Sequence, residues 1–420
     1  MKKKVYVMLA WALVLVLVPA CHKTENVQPN PREDIVLTKT QYQAVTDGNA
    51  FAIKWLTRMW KANEGANMCL SPLSASLALT AIANGADGNT LAQMQEVLGL
   101  AVFEQESGQE AGNGYYRYLV PALKKVDRTV DLNIANAVWI RKGFPVKESF
   151  INRMKESFDS QVEQLPFDDA ALRIINQWCA TQTHNRIPKI LDQIDPYDRL
   201  FLTNAVYFKG LWNAPFDKKA STKGNFTNAK GQVQQVVQMY QQSEFPLFVD
   251  ENNALAVAEL PYGNGAFSMI VVLPHSPKAL GKVLQDLDPT VWNDWMVSLR
   301  PATLNVRLPR FTMEYSTKDM MIPVLQQMGV VDAFNGTTAD FSRLTPEPNV
   351  YIGLVKQNTF IQVDEAGTEA AAVTIVGLKL ESAGPSGPPY DFNVNRPFLY
   401  AIKEKSTGVI LFMGVMTTFE

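Results

Sequence analysis

Apolar side chains recur at helical spacing through the first half of the chain and at strand spacing through the second. From Ala50 to Trp60, the residues Phe51, Ile53, Leu56, Met59 and Trp60 gather mainly on one face of a helix. Pro72 follows Ser71 at the favoured first turn of a second helix, in which Ala75, Ala78 and Ala81 permit close packing. Gly85 to Asn89 reads as a turn, after which Thr90 caps a helix leading to Leu98. Phe150–Phe158 and Ala171–Thr183 continue the helical pattern. Beyond residue 200 the apolar runs become β-branched and aromatic: Phe201–Phe208, Ala254–Leu260, Phe267–Leu273, Thr303–Leu308 and Val409–Met416 read as strands. Helices first and then many strands, without β-α-β alternation, predict an α+β fold with a large mixed sheet. No composition shift or repeat divides the chain from about Gln41 onward. One large domain is expected.

The N-terminus follows a different pattern. Lys2, Lys3 and Lys4 precede a greasy run from Val5 to Ala20, which Cys21 ends. This is the layout of an export signal, and it falls short of the ~20 residues a spanning helix needs. Leu17, Val18, Pro19, Ala20 and Cys21 resemble the box that bacterial lipoprotein peptidases read before acylating the cysteine. The expected organisation is a lipoprotein signal peptide over 1–20, lipid attachment at Cys21, a flexible polar tether over 21–40 and a folded domain over 41–420. Asp does not follow Cys21, which by analogy with Gram-negative sorting favours a bacterial cell envelope lipoprotein of the outer membrane or cell surface.

Charge and chemistry then remove whole classes of function. Lys plus Arg number 39 against 41 for Asp plus Glu, interspersed and without a basic stripe, so nucleic acid is not an expected partner. Beyond Cys21 the only cysteines are Cys69 and Cys179, set among apolar neighbours, which indicates buried free thiols and no disulfide framework. His184 and His275 are the only histidines outside the tether, which removes histidine-built zinc sites and triads needing a His base. HExxH, GxSxG, SxxK and Walker patterns are absent. Gly263-Asn264-Gly265 follows Pro261 and Tyr262 as a hairpin turn, and Asp168 with Asp169 reads as a solvated pair. No catalytic residue, metal ligand or cofactor site is expected, and the chain does not read as an enzyme.

Several separated blocks resemble the serpin family, in the family's order. They are Ser71–Ser74 (SPLS) with Gly85, Ala86 and Gly88, Ile134–Val138 (IANAV) and Asn204–Trp212 (NAVYFKGLW). Further along come Leu308–Phe311 (LPRF), Met328–Phe334 (MGVVDAF), Asp340–Leu344 (DFSRL), Asn395–Phe398 (NRPF), Tyr400 and Gly408–Gly414 (GVILFMG). The resemblance implies a helix-rich N-terminal half, a large central mixed sheet, two further sheets and an exposed reactive-centre loop at about 365–394. It also implies a polar group that controls sheet opening: Ser71, Ser74 and Asn204, with Trp212 in the same set and Gln357 where the family often has histidine. Glutamine still donates and accepts hydrogen bonds.

In the family, the segment matching Val363–Thr374 (VDEAGTEAAAVT) is a hinge that enters the central sheet once a protease cuts the loop. The hinge residues are Glu365, Gly367, Thr368, Glu369, Ala370, Ala371 and Ala372. Strand alternation puts Thr368, Ala370, Ala372, Thr374, Val376 and Leu378 on one uncharged face, and Glu369 and Lys379 on the other. No proline interrupts Gly367–Glu381, so every amide in that stretch can join a ladder. Counting from Glu365 as the family does puts the reactive bond between Glu381 and Ser382, with Leu380 and Lys379 as alternatives.

The implied activity is suicide inhibition: a serine protease, occasionally a cysteine protease, is trapped as a 1:1 covalent complex by a monomeric inhibitor. The alternative is a non-inhibitory binding protein of the same fold, cut as a simple substrate. The stretch Phe103–Tyr118 is acidic, so heparin-type activation is not expected.

Overall fold

A computed structural model describes residues 29–63, 65–368 and 388–419. Its helices are α1 (Lys39–Ala62), α2 (Pro72–Ala83), α3 (Gly88–Leu98), α4 (Gln109–Lys125), α5 (Glu148–Phe158), α6 (Asp169–Gln182), α7 (Leu280–Asp286), α8 (Pro289–Ser298) and α9 (Met321–Met328). The strands of the first half are β1 (Met68–Leu70), β2 (Val130–Arg141), β3 (Ser160–Leu165) and β4 (Leu200–Leu211). Then come β5 (Thr222–Thr227), β6 (Val233–Asp250), β7 (Leu255–Pro261), β8 (Phe267–Pro274), β9 (Arg300–Pro309), β10 (Phe311–Ser316) and β11 (Asn358–Val363). The last are β12 (Gly367–Thr368), β13 (Tyr390–Asn393), β14 (Phe398–Glu404) and β15 (Ile410–Met416).

The helices form where periodicity placed them, with ends set by caps. Thr38 and Gln41 make a reciprocal capping box that starts α1 well before Ala50. In α3 the cap is Asp87, whose carboxylate accepts the Gly88 amide, and not Thr90 as expected. Thr90 sits inside the helix, buried, its hydroxyl accepting the Asp340 amide. Gly88 supplies the reason: at φ +52 it opens the helix two residues earlier. Helix α2 is apolar on nearly every side because it lies between two sheets, touching β4 on one side and β15 on the other.

Six strands form one sheet in the order β10-β11-β12-β4-β2-β3, antiparallel except for β2 with β3. Nine form the other, β1-β15-β14-β8-β7-β6-β9-β13 with β5 on β6. The two further sheets expected are therefore one continuous ladder. The 18-residue β6 pairs with β5 and β9 along its first part and with β7 at its end, and so joins both halves. The main core fills the space between the sheets, while a second one packs α6 onto the opposite face of the six-stranded sheet, around Trp139, Trp178, Ile175 and Phe201.

One expectation about the periphery changes. Residues 30–38, read as tether, lie on the domain: Ile35 and Leu37 are buried, Ile35 N donates to Ser406 Oγ, and Tyr118 donates to the Val36 carbonyl. The contiguous apolar run Ile35-Val36-Leu37 was the overlooked signal. Cys69 and Cys179 are buried and unpaired, and burial pushes their thiols up to about 11 and about 12.

Asn84 and Asn113, both fully buried, bond to each other in both directions at 2.9 and 2.8 Å and tie α2's end to α4. Asn113→Ala strips Asn84 of a donor and an acceptor. It should destabilise the domain by about 1–3 kcal/mol, read as a lower urea midpoint than the parent's.

Candidate functional site

The six-stranded sheet is incomplete along its middle. Strands β4 and β11 are next in line, yet among the described residues they share no ladder and are bridged only by the two residues of β12. Gly367 pairs with Leu211, and Thr368 pairs with Gly210 on one side and Val363 on the other. Below this bridge the chain preceding β11, residues 350–357, forms no strand. A cleft of about 1200 Å³ opens there between Leu200–Asn204 of β4 and the Glu347–Gln357 segment, floored by Ser74, Ala75 and Ala78 of α2.

Sequence explains the upper end. The turn Asp364–Gly367 closes on itself, Asp364 N donating to Gly367 O and Ala366 N to Asp364 Oδ1. A methyl group on Gly367 would overlap the Gly210 carbonyl, so only glycine lets the chain re-enter the sheet at this point. Thr368 is 1% exposed, and its hydroxyl lies 2.6 Å from the Tyr262 hydroxyl. Burial drives the Tyr262 phenol far above its ordinary value, so it stays protonated. Tyr262 stacks on Trp212 at 4.4 Å, and the Trp212 indole donates to the Asp364 carbonyl at 2.9 Å.

Glu365 is held just as firmly. Its carboxylate accepts from Arg310 at 2.5 Å and from Ser221 at 2.7 Å, and its carbonyl accepts the Phe216 amide at 2.9 Å. Burial works to raise this carboxyl, but the Arg310 and Ser221 bonds, with its own backbone amide, outweigh it and leave it below the usual range.

Where the bridge gives way to the cleft, β4 is tied by a chain of amides and hydroxyls. Ser74 Oγ donates to Asn204 Oδ1, Asn204 Nδ2 to Asn136 Oδ1 at 2.7 Å, and Asn136 Nδ2 to the Phe158 carbonyl at 2.8 Å. Gln357, 8% exposed, uses both ends of its amide on Ser71: Oε1 accepts the Ser71 amide and Nε2 donates to its carbonyl, each at 2.9 Å. Its backbone exchanges bonds with Thr317. Ser71 begins α2 without a side-chain cap because its hydroxyl donates instead to Leu411 O of β15. The single residue before β11 is thus tied to both sheets.

Over the front of the cleft lie α6 and the segment after it. Lys356 pairs with Asp192 at 2.6 Å, Asn358 donates to Lys189 O at 2.7 Å, and Arg186 sits 5.2 Å over the Phe360 ring. Lys356 and Lys189 together draw the Asp192 carboxyl down to about 2.

Of the residues singled out in the sequence, Ser71, Ser74, Asn204 and Gln357 come together, while Trp212 does not join them. It stands eight residues beyond Asn204, about 26 Å away along the strand, and belongs with Glu365, Gly367 and Thr368. Glu369, Ala370, Ala371, Ala372, Lys379, Leu380, Glu381, Ser382 and Cys21 lie outside the described residues. Sequence reasoning missed Asn136, Tyr262, Ser221, Arg310 and Thr317. Asn136 and Arg310 stood inside quoted blocks, IANAV and LPRF, but nothing local marks them as partners of residues 68 and 55 positions away.

Two sheets pack around α2, and among the described residues only the short β12 lies between β4 and β11. The family model for serpins (serine protease inhibitors) matches residues 46–418, and the chain belongs to that family, many of whose members inhibit proteases. It is 32% identical to an uncharacterised serpin-like protein of Thermococcus kodakarensis, over 92% of this chain and 88% of that one. It is 33% identical to intracellular coagulation inhibitor 2 of Tachypleus tridentatus, over 87% and 88%. Among solved structures it resembles the thermophilic serpin tengpin in its native state (TM-score 0.78, 30% identity, 94% and 98% covered). It also resembles human thyroxine-binding globulin complexed with thyroxine (TM-score 0.81, 26% identity, 90% and 99% covered).

Because the Glu365 carboxyl is lowered on folding from 4.5, its contribution is complete above about pH 4.5 and is lost as pH falls through the folded value. Glu365→Gln should melt below the parent at pH 7, and the gap should narrow as pH falls below 4.5. A gap independent of pH would mean the Arg310 pair contributes nothing.

Proposed function

We propose that this serpin inhibits serine-type proteases by cleavage-triggered insertion of its reactive loop, trapping the protease as an acyl-linked 1:1 complex. The observation that carries the reading is β12: two residues of the hinge, Gly367 and Thr368, already occupy the top of the open strand position. Continuing its register is simple arithmetic. Inward-facing Ala370 would meet Phe208 and Ile361, and Ala372 would meet Val206 and Thr359. Thr374 would arrive between Asn204 and Gln357, where the cleft begins, and Leu378 would reach Leu200 at the start of β4. The uncharged face thus runs the full length of β4, and Thr374 brings a hydroxyl to the position flanked by two side-chain amides.

Energetics favour completion. About a dozen added ladder residues at roughly 1 kcal/mol of net hydrogen bonding each, with apolar burial besides, make the uncut form a kinetically trapped state. From Glu369 to Glu381 the acyl-linked protease would move roughly 40–45 Å at ~3.3 Å per residue. The covalent link requires a protease with an acyl-enzyme intermediate, hence the serine or cysteine class. We propose Glu381–Ser382 as the reactive bond, and Cys21 as a lipid anchor that holds the domain at a bacterial outer membrane or cell surface. A binding protein such as thyroxine-binding globulin shows that the fold serves other ends. The small, proline-free hinge face favours inhibition here.

Incubation with a protease panel should give complexes that survive denaturing gels, with the cut mapped between Lys379 and Ser382, and cleaved protein should melt far above uncut protein. Cleavage with no complex and no gain in melting temperature would leave a passive substrate. Ala370→Arg would force a guanidinium between Phe208 and Ile361 as the strand enters; a barrier raised by ~3 kcal/mol slows insertion about a hundredfold, so this variant should be cut at the same bond yet release active protease. Glu369→Gln, on the outward face, should still trap. Cys21→Ser should free the protein from membranes; continued attachment would refute the lipid anchor.

A further inference from the structure

The chain's route out of the domain fixes which end of the molecule an anchor can reach. Asn30 is clamped at the turn between α4 and β2: its Nδ2 donates to the Val126 carbonyl at 3.2 Å, and its Oδ1 accepts the Arg128 amide at 2.8 Å. The same Val126 carbonyl accepts Asn264 Nδ2 at 2.9 Å, from the β7–β8 turn. In that turn the Gly263 amide donates to Leu211 O at 2.8 Å, and Leu211 is the strand partner of Gly367. Strand β2, which starts just past this turn, pairs its first residue Val130 with Gly210. Asn30 therefore sits at the hinge pole, a few hydrogen-bonded steps from where the reactive loop leaves the sheet. The cleft mouth at Tyr197 lies at the other end of β4, whose 12 residues span about 40 Å.

From Cys21 to Pro29 the chain advances by eight residues. In any conformation eight residues reach at most about 29 Å. A second observation points the same way. The hinge pole carries exposed Arg32, Lys125 and Arg128 beside Asn30, against exposed Glu33, Asp34 and Asp131, and exposed Lys218, Lys219 and Lys223 around Glu365, with Asp217 the one acid in 216–224. Glu365 itself is taken by Arg310. Basic side chains held within a Debye length of anionic headgroups are attracted to them.

We infer that the reactive-loop pole is the pole that faces the bilayer, its lysines and arginines apposed to anionic lipid. The inference rests on the anchor reading at Cys21 and adds an orientation to it. A protease that meets the loop there is one working at the surface of the same membrane, and strand insertion carries it to the far pole, away from the bilayer.

The test places a fluorescent amino acid at position 219 or at position 197 of the lipidated full chain. Each protein is reconstituted on vesicles of mixed anionic and zwitterionic lipid containing a headgroup acceptor dye. Energy transfer from position 219 should exceed that from position 197 at least threefold, and should fall toward it when some thirty Gly/Ser residues are inserted between Cys21 and Pro29. Equal transfer, or more from position 197, overturns the orientation. If the expressed chain does not float with vesicles, the anchor reading fails separately. Orientation is then read on chain 21–420 coupled through the Cys21 thiol to a maleimide lipid, since Cys69 and Cys179 are buried. The same threefold ratio supports the geometry there, and its absence rejects it.

Discussion

Everything distinctive in this molecule depends on keeping β4 and β11 apart. A sheet gains most when neighbouring strands share their amides and carbonyls, and here two long neighbours meet only through Gly367 and Thr368. The separation is held at both ends by side chains: Glu365 on Arg310 and Ser221 at the top, Gln357 on Ser71 and Asn204 on Ser74 below. Each of these bonds is worth little beside the ladder it delays. If the loop inserts as proposed, these contacts also hold the barrier to insertion, so they bear on the lifetime of the uncut form as well as on its stability.

The upper and lower ends hold by different means. At the top, glycine, threonine and a tyrosine–tryptophan stack make a packed joint in which a single added methyl group collides with backbone. Below, the contacts are amide to amide and hydroxyl to amide, and they can be exchanged one for one with an arriving strand. On the proposed mechanism, the tight joint would start the strand and the exchangeable contacts would yield as it passes.

Much of this was legible in the sequence, for local reasons. Periodicity located α1, α2, α5 and α6 and the strands β4, β7, β8, β9 and β15, because burial on one face leaves its spacing in the chain. Proline at position 72 and glycine at 367 sit where only their backbones fit. The misses are non-local. Nothing near Arg310 announces Glu365, nothing near Tyr262 announces Thr368, and no spacing reveals that β6 would join two ladders into one. The docked stretch 30–38 was misread because Ile35 and Leu37 are few among polar neighbours, and their burial depends on a turn at Ser406 that lies 371 residues away from Ile35. Thr90 was misplaced because a glycine in left-handed conformation can open a helix that a threonine would otherwise begin.

The bond from Ser71 Oγ to Leu411 O, and the pairing of β1 with β15 beside it, join the beginning of the domain to its end. On a ribosome adding roughly 5–20 residues per second, β1 emerges many seconds before its partner exists. During that interval Ser71 cannot be held by β15, and the latch on Gln357 lacks its backing. The reactive loop is itself synthesised before β14 and β15. On the proposed mechanism, the uncut form is therefore fully latched only once β15 has joined β1.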